Sequence, residues 1–325
     1  MRAIVWTTYG PPEGLQLQEV AKPAPKNDQL LIKIHATTVT AGDCELRSLK
    51  FSIGLRLLVR MFMGLTKPRR KVLGQELAGE VEAVGKDVLR FRKGDQVFGT
   101  TGFGFGAYAE YICLPEKSGD GAVAIKPANM SYEEAAAVPT GGFEALHFLR
   151  KAGSLSGRRV LVNGAAGGIG IFAVQLAKHF GAEVTGVDST EKLALLRSIG
   201  ADRVIDYTQE DFTKRGETWD VIFDVVGKGS FSDSVAALSE DGRYLLANPR
   251  LSTMVRGLWT SAKGRKKVIF RASRQSTEDL AFLKQLIEAG GIRSVIDRRF
   301  PLERIPEAHR YFESGVARGK VVITL

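Results

Sequence analysis

Closely spaced glycines behind an apolar run give the sharpest chemical signal in the chain: Val160-Leu161-Val162-Asn163-Gly164-Ala165-Ala166-Gly167-Gly168-Ile169-Gly170. A strand that turns through small residues into a helix can bind an anion with neutral backbone alone. Gly167 lets the main chain approach a pyrophosphate, Gly170 permits close helix–strand packing, and the helix start offers free N–H groups and its positive dipole end. Ala165 stands where the G-x-G-x-x-G frame has its first glycine, so the match is A-x-G-x-x-G with an additional Gly164; Gly168 and Ile169 complete the turn. The next β-type run ends at Val187-Asp188, followed by Ser189, where a carboxylate would bond a ribose diol and repel a 2′-phosphate. Lys192, one helical turn beyond, and Tyr207, at the end of the following strand, are contacts suited to that same phosphate. Both arguments stand, so NAD and NADP remain open, and Asp188 equally suits the N-cap of a helix beginning near Thr190. Val226 and Asn248, each just past a later β-type run, complete the cofactor-binding candidates.

Such residues need a parallel sheet behind them, and the text of the chain supplies one. From about 126 strand and helix alternate: Arg159–Val162, a helix through Phe172–Phe180, Glu183–Val187, a helix through Glu191–Ser198, Arg203–Ile205 and Val221–Phe223. Arg243–Ala247 and Lys267–Phe270 give two further strands, enough for a full dinucleotide fold. Residues 1–125 read instead as strands and turns: Leu30–Ala36, Gly79–Val84, and a turn at Lys93-Gly94-Asp95 before a third run. After 270 a helical period (Leu280, Leu283, Ile287) and short strands at Val295-Ile296 and Lys320–Thr324 leave the alternation and return to the first domain. The expectation is a domain at 126–270 set between 1–125 and 271–325.

The 325 residues exceed the usual single domain, in keeping with two. Forty-six Lys and Arg against 36 Asp and Glu give a net charge of +10, which favours anionic cofactors, phosphates or acidic surfaces. Only Cys44 and Cys113 occur, with no C-x-x-C, which excludes a disulfide scaffold and a cysteine-rich zinc lobe. The amino terminus lacks the sustained apolar stretch of a signal peptide, so the expected location is cytoplasmic. Segments 50–71 and 250–267 are apolar and basic at once; they read as surface helices, as a substrate lid or as a peripheral membrane contact.

Taken in order, Gly74-Gln75-Glu76-Leu77-Ala78-Gly79-Glu80-Val81 with Val84-Gly85, Phe91–Val97, Val138-Pro139-Thr140, the glycine loop, Gly200-Ala201-Asp202 with Ile205-Asp206-Tyr207, and Gly319-Lys320-Val321-Val322 carry a resemblance. On them the whole chain resembles the medium-chain dehydrogenase/reductase superfamily, its quinone oxidoreductase branch above all. The resemblance implies an α/β chain: a Rossmann doubly wound parallel sheet that binds NAD(P), plus a discontinuous β-rich GroES-like catalytic domain. Zinc alcohol dehydrogenases of the superfamily carry Cys where this chain has Thr40, and His where it has Gln75. No metal is therefore expected. The Asn-x-x-Asp-x-x-x-Arg pattern of the branch appears here as Thr40, Asp43 and Arg47.

Without zinc, alcohol oxidation loses its means of acidifying the hydroxyl, whereas an enone or quinone needs only a positioned hydride and modest stabilisation of oxyanion charge. Thr40, Asp43, Arg47 and Gln75 are the catalytic candidates, with Thr40, Arg47 and Gln75 facing the substrate oxygen and the nicotinamide near Thr140. Other roles suit the same residues: Asp43 and Arg47 as an i,i+4 helix pair, Gln75 in a turn, Thr140 as a cap. The expected function is reduction of a lipophilic quinone or α,β-unsaturated carbonyl by NADPH or NADH. The competing class is a nicotinamide-nucleotide-binding protein with a non-catalytic role on RNA or a membrane surface. Nucleic acid is disfavoured because the charge is scattered and basic runs interleaved with aromatics are missing. A homodimer is expected through the apolar edge strand Lys267–Phe270.

Overall fold

A computed structural model describes residues 1–51, 53–69, 71–117, 119–270 and 275–325. Two compact units are present: Met1–Thr140 with Gln275–Glu288 and Ser294–Leu325, and Gly141–Arg274 with Ala289–Arg293. The first boundary thus falls at 140/141 and not at 125/126, because a short helix at Tyr132–Ala136 packs on the strands of the first unit. The second, expected at 270/271, falls at 271–274, outside the described residues. Ala289–Arg293 joins the second unit, where the Gln175 amide donates to the Arg293 carbonyl (2.9 Å) and accepts from its N–H (2.9 Å).

The first unit opens with the antiparallel pair β1 (Arg2–Trp6) and β2 (Leu15–Glu19). There follow β3 (Gln29–Val39), α1 (Ala41–Ser48), α2 (Ile53–Met63), β4 (Glu76–Val84), β5 (Gln96–Thr100), β6 (Tyr111–Pro115), β7 (Ala122–Ile125) and α3 (Tyr132–Ala136), and α4 (Pro139–Lys151) runs across the 140/141 boundary into the second unit. Alternate residues Leu30, Ile32 and Ile34 of β3 pack with Val81, Val97 and Ile112, so the period of two in the sequence becomes one buried face. The second unit runs β8 (Arg159–Asn163), α5 (Gly170–His179), β9 (Glu183–Asp188), α6 (Leu193–Ser198), β10 (Arg203–Asp206), β11 (Trp219–Asp224), α7 (Phe231–Ala236), β12 (Leu238–Leu246), α8 (Leu251–Lys263) and β13 (Lys267–Ile269). Its strands are parallel in the order β10-β9-β8-β11-β12-β13, so the winding reverses between β8 and β11. Ligands bind at such a reversal because the loops leaving adjacent strands diverge there. α9 (Thr277–Glu288) packs on β7, and β14 (Ile296–Pro301), α10 (Ile305–Glu313) and β15 (Lys320–Thr324) complete the first unit, with β15 between β14 and β3.

A polar network lies inside the first unit, where α1 meets α10. Arg47 and His309 are essentially without exposed surface. Arg47 Nε donates to His309 Nδ1 (3.3 Å), Nη2 donates to Glu313 Oε2 (2.6 Å), and Nη1 donates to the Gly10 carbonyl. A guanidinium only donates, so His309 Nδ1 accepts and its ring proton sits on Nε2, 3.2 Å from the Tyr108 hydroxyl. Burial first, and the adjacent guanidinium second, bring the His309 pKa down to about 3 and keep the ring neutral.

Between about pH 3 and 6.5 the unfolded chain therefore binds a proton that the folded one refuses, and stability is lost as pH falls through that window. His309→Gln is expected to remove a slope on the order of 1 kcal/mol per pH unit from urea-unfolding free energies measured between pH 7 and 4. Parallel wild-type and variant curves would show that His309 is not held neutral.

Candidate active site

The turn from β8 into α5 is built as the glycines require. Gly164 has a φ of +83°, and its N–H and that of Ala165 both donate to the Val187 carbonyl, at 3.0 and 3.1 Å. Ala165 is buried beneath the turn. A Cβ on Gly170 would lie 2.2 Å from the Gly164 carbonyl oxygen, so only glycine lets α5 start this close to the strand. The Gly168 carbonyl is approached as closely by Gly141 of α4, where a Cβ would sit 2.1 Å away. Ile169 precedes the first residue of α5.

Beside this turn lies a cavity of about 700 Å³, lined among others by Gly164, Gly167, Asp188, Lys192, Tyr207 and Val226. Asp188, at the end of β9, is buried; its carboxylate accepts from the N–H groups of Ala166 (2.9 Å) and Ser189 (3.0 Å), and Lys192 Nζ lies 3.6 Å away. It therefore clamps the glycine turn to β9, and the helix-cap reading does not hold: Ser189 caps the short turn Thr190–Lys192 that precedes α6, without a side-chain bond. Tyr207 is exposed, its N–H donating to the Asp188 carbonyl at 3.2 Å. Asn248 does not line the cavity; its amide holds the Val225 carbonyl (2.7 Å) and so shapes the segment that carries Val226. Sequence reasoning missed Asp224, whose buried carboxylate accepts from the Asn163 amide, the N–H groups of Val226 and Gly227, and the Tyr244 hydroxyl at 2.9 Å. Its position at the end of β11, level with Asn163 across the parallel pair, was the available signal.

The catalytic candidates gather in the first unit, around the start of α1. Thr40 caps that helix: its hydroxyl accepts from the Asp43 N–H (3.1 Å), and the Asp43 carboxylate accepts from the Thr40 N–H (3.1 Å). That carboxylate also takes the Thr40 hydroxyl proton at 2.7 Å and the Gly74 N–H at 3.1 Å. Burial pushes the Asp43 carboxyl up to about 6, opposed by these hydrogen bonds. Gln75 Oε1 lies 3.3 Å from the Thr40 hydroxyl, so Thr40 and Gln75 stand side by side, with Asp43 behind them. The next residue, Glu76, has no exposed surface and binds Lys320 Nζ (2.5 Å), the Thr38 hydroxyl and the Thr140 N–H (2.7 Å). Thr140 itself keeps a buried hydroxyl that has no hydrogen-bond partner among the described residues.

Arg47 is the candidate that the structure places elsewhere. Its guanidinium points to Gly10, His309 and Glu313, so it neither pairs with Asp43 nor reaches the group around Thr40. Three satisfied tertiary contacts outweigh an i,i+4 pairing worth a few tenths of a kcal/mol.

Residues 26–126 match the family described as alcohol dehydrogenase GroES-like domain, and residues 199–323 the family described as zinc-binding dehydrogenase. The chain is 37% identical to 2-methylene-furan-3-one reductase of Solanum lycopersicum over 99% of its length and 79% of that protein. It is 33% identical to quinone oxidoreductase of Sus scrofa, covering 100% of this chain and 98% of the other. Among solved structures, quinone oxidoreductase from Coxiella burnetii superposes with a TM-score of 0.88 at 30% identity, over 100% and 99% of the two chains. The residues here do not suit the zinc that one family description names. Thr40 and Gln75 offer a hydroxyl and an amide where zinc takes thiolate and imidazole, and the neighbouring carboxylates, Asp43 and Glu76, are spent on N–H, hydroxyl and ammonium donors. No group of three or more His, Cys, Asp or Glu able to hold a metal occurs among the described residues. Two family matches, full-length identity above 30% and one shared fold place the chain in the medium-chain dehydrogenase/reductase superfamily, in its quinone oxidoreductase branch.

Proposed function

We propose that the protein is a zinc-independent, NAD(P)H-dependent reductase of quinones or α,β-unsaturated carbonyl compounds. The observation that carries this reading is the Thr40–Asp43–Gln75 group, a hydrogen-bonding site built where zinc relatives hold a Lewis acid. The names of the tomato, pig and Coxiella relatives support the same substrate classes.

Gly167 and the N–H groups at the start of α5 would hold the pyrophosphate, and Asp188, Lys192 and Tyr207 would meet the adenosine ribose in the cavity they line. Thr140 would offer its unpartnered hydroxyl to the nicotinamide end. When bound, the reduced nicotinamide supplies the hydride that the enone β-carbon or quinone ring accepts. As charge develops on the substrate oxygen, a donor must face it. Above about pH 6 Asp43 is ionised and holds the Thr40 proton, which leaves the Gln75 amide N–H as that donor. Asp43 acts as a positioning residue, and solvent delivers the final proton.

For the cofactor, the 3.6 Å approach of Lys192 to Asp188 offsets the carboxylate's repulsion of a 2′-phosphate, and Lys228 adds a second cation to the cavity wall. NADPH is therefore the favoured donor, with NADH also accepted. The oligomer proposed is a homodimer through α8 and β13. Gly257 seats α8 on β13, where a Cβ would lie 2.8 Å from Val268, and Leu251, Val255, Leu258 and Trp259 are left exposed as a stripe. The Val268 N–H already donates to Ser261 Oγ (2.9 Å), so this stripe, more than strand pairing, supplies the contact. With both cysteines free, a reducing compartment, the cytoplasm, is the proposed location.

Nicotinamide oxidation followed by absorbance, with a panel of quinones and enones, tests the reading; no turnover of any acceptor would sink it. Gln75→Ala should lower kcat by about 10- to 100-fold with little change in KM, Thr40→Val by less, and a chelator should leave turnover intact. Lys192→Ala should weaken NADPH binding by about tenfold and leave NADH within a factor of about two. Asp188→Gly should shift the ratio toward NADPH while weakening both, since it frees the Ala166 and Ser189 N–H groups. Paired dissociation constants by fluorescence check these outcomes, and ratios that neither substitution moves would remove both side chains from ribose recognition.

A further inference from the structure

α2 turns its apolar side away from the protein. Leu55, Leu57, Leu58, Met61 and Phe62 are 45–74% exposed, and at about 100° per residue they fall on one arc of the helix. The other side is fixed in place. Met63 packs on the core around Trp6 and Phe105, the Arg60 guanidinium lies 5.6 Å from the centre of the Tyr9 ring, and the Tyr9 hydroxyl donates to the Gly64 carbonyl at 2.8 Å. Just beyond, the Arg69 N–H donates to the Met63 carbonyl (2.6 Å). These inner contacts set the outward face, which reverses the usual arrangement of a surface helix. Exposed cations flank the helix along the chain at Lys50, Lys67, Arg69 and Lys71, of which Lys50 pairs with Glu313 at 3.4 Å. No Asp or Glu occurs between Glu45 and Glu76.

We propose that α2 docks the protein on anionic bilayer surfaces, its Leu, Met and Phe side chains entering the acyl boundary while the surrounding Lys and Arg meet headgroup phosphates. Two properties of the face select lipid as its occupant. Its exposed arc holds no strong hydrogen-bonding group, whereas a protein interface carries about one hydrogen bond per 100–200 Å². A second copy of the chain would set these cations against each other, with no acid in the segment between Glu45 and Glu76 of either copy. Lys67, Arg69 and Lys71 are exposed just beyond the helix, and their long stems let the charges stay at phosphate depth.

The test is co-sedimentation of the full chain with phosphatidylcholine vesicles, with and without phosphatidylglycerol. Binding to the anionic vesicles is expected, with release at high salt and little binding to phosphatidylcholine alone. The double variant Leu58→Glu with Phe62→Glu should lose at least about tenfold in partitioning while turning over a water-soluble quinone as the wild type does. Lys67→Glu with Lys71→Glu, which leaves the apolar arc intact, should lose the preference for phosphatidylglycerol. Equal partitioning of the wild type and the Leu58/Phe62 variant overturns the proposal, as does indifference to lipid charge. A wild-type dimer that light scattering finds converted to monomer by the Leu58/Phe62 substitutions would also overturn it, by assigning the face to a second copy.

Discussion

The Glu76 carboxyl group has no exposed surface, and the ammonium of Lys320, itself buried, meets it at 2.5 Å from 244 residues away. Neither charge is tolerable alone: removing one partner of such a pair costs about 3–5 kcal/mol. The pair fixes the start of β4 against β15, the Thr38 hydroxyl fixes it against β3, and the remaining oxygen receives the Thr140 N–H at the first turn of α4. Gln75 precedes this anchor and Thr140 hangs from it, so the placement of both depends on one carboxylate.

What the sequence made legible was local. A strand, a glycine turn and a helix start are decided within a few residues, so the Gly164–Gly170 segment and the alternation of strand and helix behind it follow from pattern and turn chemistry. The Thr40–Asp43 capping box was equally local, yet Arg47, four residues on from Asp43, went to partners on α10. Spacing along a helix offered it a neighbour; burial against Gly10, His309 and Glu313 offered it three. Glu76 stood in plain view inside a quoted motif, and its importance was hidden because the lysine that explains it lies near the other end of the chain. For α2, composition gave an apolar, basic helix, and periodicity could show that a face exists without showing which way it points.

The chemistry of the site rests on the same economy of charge. Where zinc relatives hold a metal the chain has the hydroxyl of Thr40 and the amide of Gln75, and it keeps the nearby carboxylate of Asp43 in a buried pocket where three hydrogen bonds hold it. His309, one layer further in, stays neutral beside a guanidinium. Titrations at Asp43 and His309 are displaced in opposite directions by the same burial, which raises an acid and lowers a base.

The separation of Glu76 from Lys320 also fixes the order in which a growing chain can mature. Until the lysine leaves the ribosome, the β3–β4 hairpin has a carboxylate that it cannot bury, so the first sheet stays open through most of translation. The β8–β13 sheet has no such debt to later residues and can close first. The unit begun earliest is therefore finished last, and the nascent protein holds the glycine turn and its cavity before it holds the carboxylate anchor on which Gln75 and Thr140 depend.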